Sequence, residues 1–489
     1  MNIQSTFNCL CTFVTYFCAL MKKIQLQHPI FHKVQQAAEN LQLESFVVGG
    51  FVRDQLLGRE SKDIDFVCVG SGIDLAHEVA RLISPKLKVN FFKTYGTAQF
   101  VWDGWELEFV GARKESYQEH SRNPIVENGS LTDDQNRRDF TINALAAAVN
   151  KGNFGQIIDP FQGLKDLDNG VIRTPLDPDI TFSDDPLRML RAIRFATQLN
   201  FHIEEKTLQA IQRNAKRIEI ISQERITTEL NKIILAASPS IGFKLLDETG
   251  LLAYIFPEMT ALKGVEYVNK QGHKDNFYHT LQVLDNLAAN TDNLWLRWAA
   301  ILHDIGKPKS KRFEENNGWT FHGHEVIGER MAKQIFKKLK LPLNQELKYV
   351  QKLVRMHLRP IPIARDEISD SAIRRLLFDA GDDIDDLMLL CEADITSKNE
   401  AKVKRILQNF RIVRIKLKEI EEKDRIRNFE PPISGELIME TFQLNPCREV
   451  GMIKNQIKDA ILDGEIANNF EEAKALMLKL GIEMGMKTK

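Results

Sequence analysis

The stretch Val47-Val48-Gly49-Gly50-Phe51-Val52-Arg53-Asp54, with Asp63-Ile64-Asp65 shortly after it, decides how the first part of this chain folds. Phe46-Val47-Val48 reads as a short buried strand. Gly49-Gly50 breaks it and, with no Cβ at either position, lets the backbone approach a ligand. Arg53 and Asp54 then open a helical run with Leu56 and Leu57 on its apolar side. A second strand follows from Asp63 through Val69. Strand side chains alternate, so Asp63 and Asp65 share one face while Ile64 and Phe66 take the other. Two carboxylates on one face repel unless a cation lies between them. Hard oxygen donors suit Mg²⁺, which takes one or two carboxylates plus substrate phosphates. Strand, glycine turn, helix and metal strand together read as a cradle for a nucleoside triphosphate.

In this order and spacing the segments resemble the head of the DNA polymerase β-like nucleotidyltransferases. More narrowly, Gly-Gly-x-Val-Arg-Asp, Leu-Leu-Gly and Asp-x-Asp resemble the class II tRNA nucleotidyltransferase / poly(A) polymerase family. The resemblance implies that Asp63 and Asp65 are the catalytic Mg²⁺ ligands. Glu108, on the strand Leu107-Glu108-Phe109-Val110, falls where the family places a further acidic residue. Arg137-Arg138-Asp139-Phe140-Thr141-Ile142-Asn143 looks like the family's second motif. Adjacent arginines pair with triphosphate oxygens through charge-assisted bonds. Asp139 and Asn143 are expected to bond a ribose hydroxyl or to orient the arginines. Gly50, Arg53 and Arg138 are expected to hold the triphosphate.

Ser183-Asp184-Asp185-Pro186 reads as a helix start, with proline tolerated in the first turn. Arg188, Arg191 and Arg194 recur every third residue and lie near one helix face, with Leu187, Leu190 and Ile193 on the neighbouring apolar face. The family resemblance makes this helix the protein template that reads the incoming base, although Asp184 stands where the family usually has Glu. Cytosine and adenine each present an exocyclic amine beside a ring-nitrogen acceptor. A carboxylate at Asp185 accepts from the amine, and a guanidinium at Arg188 donates to the ring nitrogen. Uracil and guanine reverse both groups and leave them opposed, costing about 1–3 kcal/mol for each. Addition of C, C and A to tRNA from CTP and ATP is the function this implies. A poly(A) polymerase or a partial CC- or A-adding enzyme uses the same chemistry.

From about Gly250 the pattern is helical and carries a second constellation: His279, His303-Asp304, His324, His357 and Asp394. It resembles the HD phosphohydrolase superfamily, which implies a metal site of His279, His303, Asp304 and Asp394, with His324 and His357 extending it to a second ion. Mixed imidazole and carboxylate donors suit Mg²⁺ or a transition metal that activates water against a phosphate ester. The competing reading from another class is an HD phosphohydrolase, acting on RNA ends or nucleotides, whose head mainly binds RNA.

The fold class expected is an α/β head of the polymerase β-like nucleotidyltransferase type, followed by an all-α neck, HD body and tail. The boundaries expected are 21–160 for the head, 161–245 for the neck, 246–400 for the HD domain and 401–489 for a tail that contacts RNA. At 489 residues the chain is too long for one ordinary core. Its 43% hydrophobic and 27% charged residues fit a globular protein. The net charge of −1 limits RNA contact to local basic stripes. One runs from Arg188 through Arg213, Lys216, Arg217, Arg225 and Lys232; the other runs from Lys402 through Lys404, Arg405, Arg411, Arg414, Lys416 and Lys418. The six cysteines show no zinc spacing, which fits a reducing cytoplasm. Residues 7–20 are apolar but lack a basic segment ahead of them and are short for a membrane span. Residues 1–20 are therefore expected to be a mis-called start, with Met21 as the natural one.

Overall fold

The computed structural model describes residues 22–487 apart from 94–95, 119–120, 269–270, 273, 364–368, 398, 425 and 428–429. The expectation for residues 1–20 lies outside these. The chain divides into two compact units, one running to Ile233 and including Ile241–Ile255, the other formed by Ile234–Ser240 and the chain from Phe256 onward.

The first unit is built on a seven-stranded mixed sheet of order β3-β4-β5-β2-β1-β8-β9. Its strands are β1 (Ser45–Val48), β2 (Asp63–Cys68), β3 (Asn90–Phe92), β4 (Thr97–Trp102), β5 (Trp105–Gly111), β8 (Ala146–Ala148) and β9 (Ile157–Ile158). A separate hairpin, β6 (Arg113–Gln118) with β7 (Ser121–Asn128), follows β5. The short strand read from Phe46-Val47-Val48 is wholly buried at the sheet's centre, antiparallel to both β2 and β8. One face of the sheet is apolar: Phe66 stacks on Phe109 at 5.0 Å and Phe109 on Phe100 at 5.3 Å. Helices α1 (Pro29–Leu41) and α3 (Gly72–Ile83) bring Phe31, Leu75 and Val79 to this core. Each fully buried aromatic ring contributes about 1.5–3 kcal/mol.

Helix α2 (Gly50–Leu56) starts at Gly50, earlier than the expected start at Arg53-Asp54. Gly49 turns the chain with φ +73°, so the helix begins at once. A Cβ on Gly49 would stand 3.0 Å from Arg138 Nη1 and 3.6 Å from Asp65 Oδ2. The buried side of α2 is Phe51 and Val52, whereas Leu56 and Leu57 are only half-buried. The helix start expected at Ser183-Asp184 also differs. Those residues end a preceding helix, α5 (Pro178–Asp184), and Asp185 links it to α6 (Leu187–Leu199); α7 (Gln223–Ile234) comes later in the chain. Asp177, whose carboxylate accepts from the amides of Asp179 and Ile180, caps α5 and makes the earlier helix possible. Between β7 and β8, α4 (Leu131–Asn136) is closed by a Ser130/Asp133 capping box.

The second unit is mainly helical, interrupted by two small hairpins, Tyr267–Val268 with Gln271–Gly272 and Arg312–Glu314 with Gly318–Thr320. The helices that matter for its chemistry are α8 (Asn276–Ala288), α9 (Leu294–Leu302), α10 (His324–Lys338), α11 (Gln345–Met356), α12 (Ile384–Asp394) and the long α13 (Glu400–Asp424). Asp275 and Asn293 cap α8 and α9. Almost all of α9 is buried, so the chain leaving it delivers His303 and Asp304 into the interior. A Cβ on Gly306 would lie 2.2 Å from the carbonyl oxygen of His324; its absence lets α10 begin against this turn.

Candidate active sites

In the head, β2 runs parallel to β5 and pairs Asp63 with Glu106 and Asp65 with Glu108. Side-chain alternation therefore puts four carboxylates on one face. Burial pushes the Asp65 carboxyl up, Arg138 pulls it down, and Asp63 pushes it up again. Burial and the Asp65 charge likewise raise Glu108. This excess of carboxylate, all hard oxygen donors, fits a divalent cation.

Guanidinium groups surround the carboxylates, and each is held. Buried Asp134 on α4 bonds Arg137, and it accepts from Arg138 at 3.0 and 2.9 Å. Asp139 Oδ2 accepts from both Nη2 and Nε of Arg191, at 2.6 and 2.7 Å. Asn143 donates to Asp139 at 3.0 Å and accepts from Arg53 at 2.8 Å. Burial opposes the Asp139 charge, but Arg191 and Asn143 outweigh it and hold the carboxyl at about 2. Arg194 is paired with Glu229 at 3.0 Å and lies 4.1 Å over the ring of Phe195. Burial lowers it to about 10. Arg53 and Arg191 approach the same ring at 4.9 and 5.4 Å.

Two cavities share Asp65, Arg138, Asp139 and Arg191 in their walls. One, of about 460 Å³, adds Gly49, Gly50, Arg53, Asp63, Arg194 and Lys232. The other, of about 340 Å³, adds Glu108, Arg137, Asp185, Arg188 and Arg225. Arg188 donates to the carbonyl of Arg137 at 2.6 Å and of Thr181 at 3.4 Å, which fixes its plane. Asp185 accepts from the Leu187 amide at 3.1 Å and from Arg225 at 3.3 Å. Asp185 and Arg188 thus line the same cavity as Asp65.

In the second unit His279, His303 and Asp304 gather their ligand atoms within 4.8 Å of one another, and so do Asp304, His324 and His357. Asp304 belongs to both groups. Its Oδ2 lies 3.2 Å from His303 Nε2 and 3.4 Å from His279 Nε2; its Oδ1 lies 3.2 Å from His324 Nε2. Asp394 Oδ1 stands 2.9 Å from His279 Nε2. Every Nδ1 is engaged elsewhere: His303 with the Ala300 carbonyl at 2.7 Å, His324 with Phe321 at 2.8 Å, His357 with Val354 at 2.7 Å, and His279 with the Thr396 hydroxyl at 2.9 Å. Such partners turn each Nε2 inward as a ligand atom. Among the described residues, buried His303 Nε2 has Asp304 Oδ2 at 3.2 Å but makes no well-aligned hydrogen bond. Burial opposes a charge on His303, but Asp304 and Asp394 outweigh it and lift the ring to about 10; burial and His303 push His357 down to about 4. The donor set fits divalent cations on both sides of Asp304.

Three family models match in succession: the poly(A) polymerase head domain over residues 45–173, a probable RNA- and SrmB-binding site of polymerase A over 200–263, and the HD domain over 276–399. The A-adding tRNA nucleotidyltransferase of Deinococcus radiodurans is 30% identical over 448 residues, covering 88% of this chain and 94% of that protein. The chain belongs to the tRNA nucleotidyltransferase / poly(A) polymerase family. The multifunctional CCA protein of Nitrosococcus oceani is 31% identical over 374 residues, 73% of this chain and 86% of that protein. The solved CCA-adding enzyme of Bacillus stearothermophilus in complex with CTP superposes with a TM-score of 0.65 at 24% identity, over 94% of this chain and 99% of that one.

Within this tRNA nucleotidyltransferase, the structure also supplies residues that the sequence did not single out. Asp134 carries no local signal in the sequence, yet it anchors both arginines of the second motif. Phe195, Glu229 and the Nδ1 partners of the histidines gave no local signal. Arg225 had been read only as part of a basic stripe, and it pairs with Asp185. Elsewhere on that stripe Arg213 is tied to Asp179 at 2.6 Å and Arg217 donates to the Ser183 carbonyl at 2.9 Å. Cys68 and Cys391 are buried and Cys447 is exposed, all three free. Among the described residues no helix is long and apolar enough to cross a membrane.

Proposed function

We infer that the protein adds C, C and A to the 3′ end of tRNA, using CTP and ATP, without a nucleic-acid template. The observation that carries this reading is the joining of the carboxylate face to the Asp185–Arg188 pair along one cavity wall. Asp63 and Asp65, with Glu108, would hold Mg²⁺. When bound, Mg²⁺ supplies activation of the tRNA 3′-hydroxyl and neutralises charge on the pyrophosphate. The hydroxyl oxygen bonds the α-phosphorus, the bond to pyrophosphate breaks, and the hydroxyl proton passes to solvent. Arg138, steadied by Asp134, and Arg53, steadied by Asn143, position the triphosphate beside Gly50. Asp139 holds Arg191 toward the same wall. Asp185 and Arg188 read the amine and ring nitrogen shared by cytosine and adenine. Because that edge is common to both bases, an enzyme adding only A is the second reading, and the 30% identical A-adding relative favours it.

A second activity is assigned to the histidine–aspartate cluster: metal-dependent hydrolysis of a 2′,3′-cyclic or terminal phosphate at an RNA end. His279, His303, Asp304 and Asp394 would hold one ion, and His324 and His357, with Asp304, another, drawn from Mg²⁺ or the transition metals. When bound, such ions supply a water of lowered pKa. The water oxygen bonds phosphorus, a P–O ester bond breaks, and the released ribose oxygen takes a proton. Hydrolysis at this site would clear a blocked 3′ end for extension by the head.

The deciding experiment incubates the protein with tRNA lacking its CCA end and with labelled CTP and ATP, singly and together. CCA addition requires CMP incorporation from CTP alone and AMP incorporation that depends on prior CMP. Incorporation of AMP only onto tRNA already ending in CC would replace it by A-addition. No incorporation from either would overturn both.

A further inference from the structure

The least buried members of the histidine–aspartate cluster mark its mouth. The Asp394 side chain is 15% exposed, and those of His279 and His324 are 9% and 8%, against 0–2% for His303, Asp304 and His357. His279 also lines a groove of about 1190 Å³ between α8 and α13, and Thr396, which bonds its Nδ1, lines it too. The groove therefore begins at the mouth of the cluster. Its wall on α13 is made by Glu400, Val403, Lys404, Leu407, Gln408 and Arg411. This spacing is one helix face, and it runs for about 17 Å at 1.5 Å per residue.

From Val403 to Arg411 that face alternates apolar residues with polar or cationic ones, after an acidic start at Glu400. Val403 and Leu407 form a floor, and Lys404 and Arg411 are exposed and make no ion pair among the described residues. Across the groove Tyr278, beside His279, is 53% exposed. Asp275, one of the two carboxylates in the wall, is already engaged by the amides of Phe277, Tyr278 and Gly264. An exposed ring next to unpaired cations suits stacked bases on a phosphate backbone. The length decides between a mononucleotide and a strand. Lys404 and Arg411 are two helical turns apart, about 10 Å, which is about three times the ~3.4 Å stacked rise per nucleotide. One nucleotide at the mouth cannot reach Arg411, whereas a short strand does.

We propose that this groove seats the single-stranded 3′ end of an RNA, with the terminal phosphate at the His279/Asp394 mouth and the preceding nucleotides running along α13 past Lys404 to Arg411. The assignment rests on the phosphohydrolase reading of the cluster for its direction, and it makes the substrate an RNA terminus in preference to a free nucleotide.

The test compares wild type with Lys404→Glu/Arg411→Glu on two substrates, a short oligoribonucleotide ending in a 2′,3′-cyclic phosphate and a 2′,3′-cyclic mononucleotide, with Mn²⁺ or Ni²⁺ present. The double variant should lose about tenfold or more in kcat/KM on the oligonucleotide, while it opens the mononucleotide at the wild-type rate. Equal losses on both substrates, or none on either, would overturn the groove. A second readout does not depend on hydrolysis: the same oligonucleotide carrying a 3′-terminal 4-thiouridine is photocrosslinked and the attachment mapped. Crosslinks on α8 or α13 that disappear in the double variant support the groove even if wild type hydrolyses neither substrate, a result that would retire the hydrolase reading alone. Crosslinks confined to the first unit would refute the proposal.

Discussion

The two candidate metal sites solve the same electrostatic problem in opposite ways. In the head, Asp63 is exposed and Asp65 half-buried on an open strand face, and carboxylates are the main donors. In the second unit, four imidazoles and two carboxylates converge in the interior, each ring fixed from behind by a backbone carbonyl or a hydroxyl. The first arrangement is incomplete without substrate phosphates, because two or three carboxylates do not fill the coordination shell of a hard cation. The second offers a full set of protein donors before any substrate arrives. Loss of a head carboxylate should therefore read out as lost chemistry, and loss of a cluster ligand should read out first as lost metal.

The largest effect tests the head. Asp65→Ala, or Asp63→Ala, should lower incorporation of both CMP and AMP by about 10²–10³-fold or more, with tRNA binding close to wild type by filter retention. On the reading proposed above, the carboxylates would hold the ion and not the RNA backbone. Near-normal incorporation by either variant would remove these residues from the reaction.

The next effect tests the contrast itself. Protein stripped with a chelator should gain thermal stability when Mn²⁺ or Ni²⁺ is restored, worth about 2.7 kcal/mol at a hundredfold excess over Kd. His303→Ala/Asp304→Ala should abolish the gain and Asp63→Ala should leave it intact. A gain that survives the cluster double variant would mean that the preformed donors are not where the metal goes. The same double variant should keep nucleotide addition close to wild type.

These expectations show which parts of the sites were legible. Asp63-x-Asp65 and His303-Asp304 announce themselves because a strand or helix end fixes their mutual placement over a few residues. Arg188 and Asp185 were legible for the same reason, although the helix start assigned to Ser183-Asp184 was not: Asp177 caps an earlier helix that the Pro186 signal hid. What stayed silent was whatever depends on contacts across the fold. Asp134 reaches Arg138 over one turn, but only its burial under the sheet makes that pairing matter. Glu229 meets Arg194, and Asn143 meets Arg53, through packing between distant segments. No local spacing encodes such pairs.

A smaller effect tests how the head's arginines are held. Asp139 is buried and kept at about 2, below its ordinary 3.8. A depressed carboxyl stabilises the fold above its unfolded value, and that stability is lost as pH falls through the folded value. The shift corresponds to about 2 kcal/mol. Wild type should therefore exceed Asp139→Asn most at pH 6, and the pH-dependent part of that margin should shrink by about half at pH 3. Denaturant unfolding of both proteins at the two pH values measures it. A margin that does not change would mean that Asp139 is not held ionised by Arg191.

The smallest effect separates reading a base from aiming the reader. Arg188 would touch the base, so Arg188→Ala should cost discrimination of CTP from UTP by about 1–3 kcal/mol, or roughly 5- to 150-fold. Among the described residues the Arg225 guanidinium pairs with Asp185, at 3.3 Å, and is partly exposed. Its loss leaves the Asp185 bond to the Leu187 amide in place, so the carboxylate keeps its position and loses one of two restraints. Arg225→Ala should therefore reduce the CTP/UTP ratio of kcat/KM by only a few-fold, within about 1 kcal/mol, and Arg225→Lys should restore most of it. If Arg225→Ala instead matched Arg188→Ala in lost discrimination, Arg225 would be contacting the nucleotide directly. The reading surface would then be a triad of Asp185, Arg188 and Arg225. If neither variant altered the ratio, base choice would have to come from another part of the cavity wall.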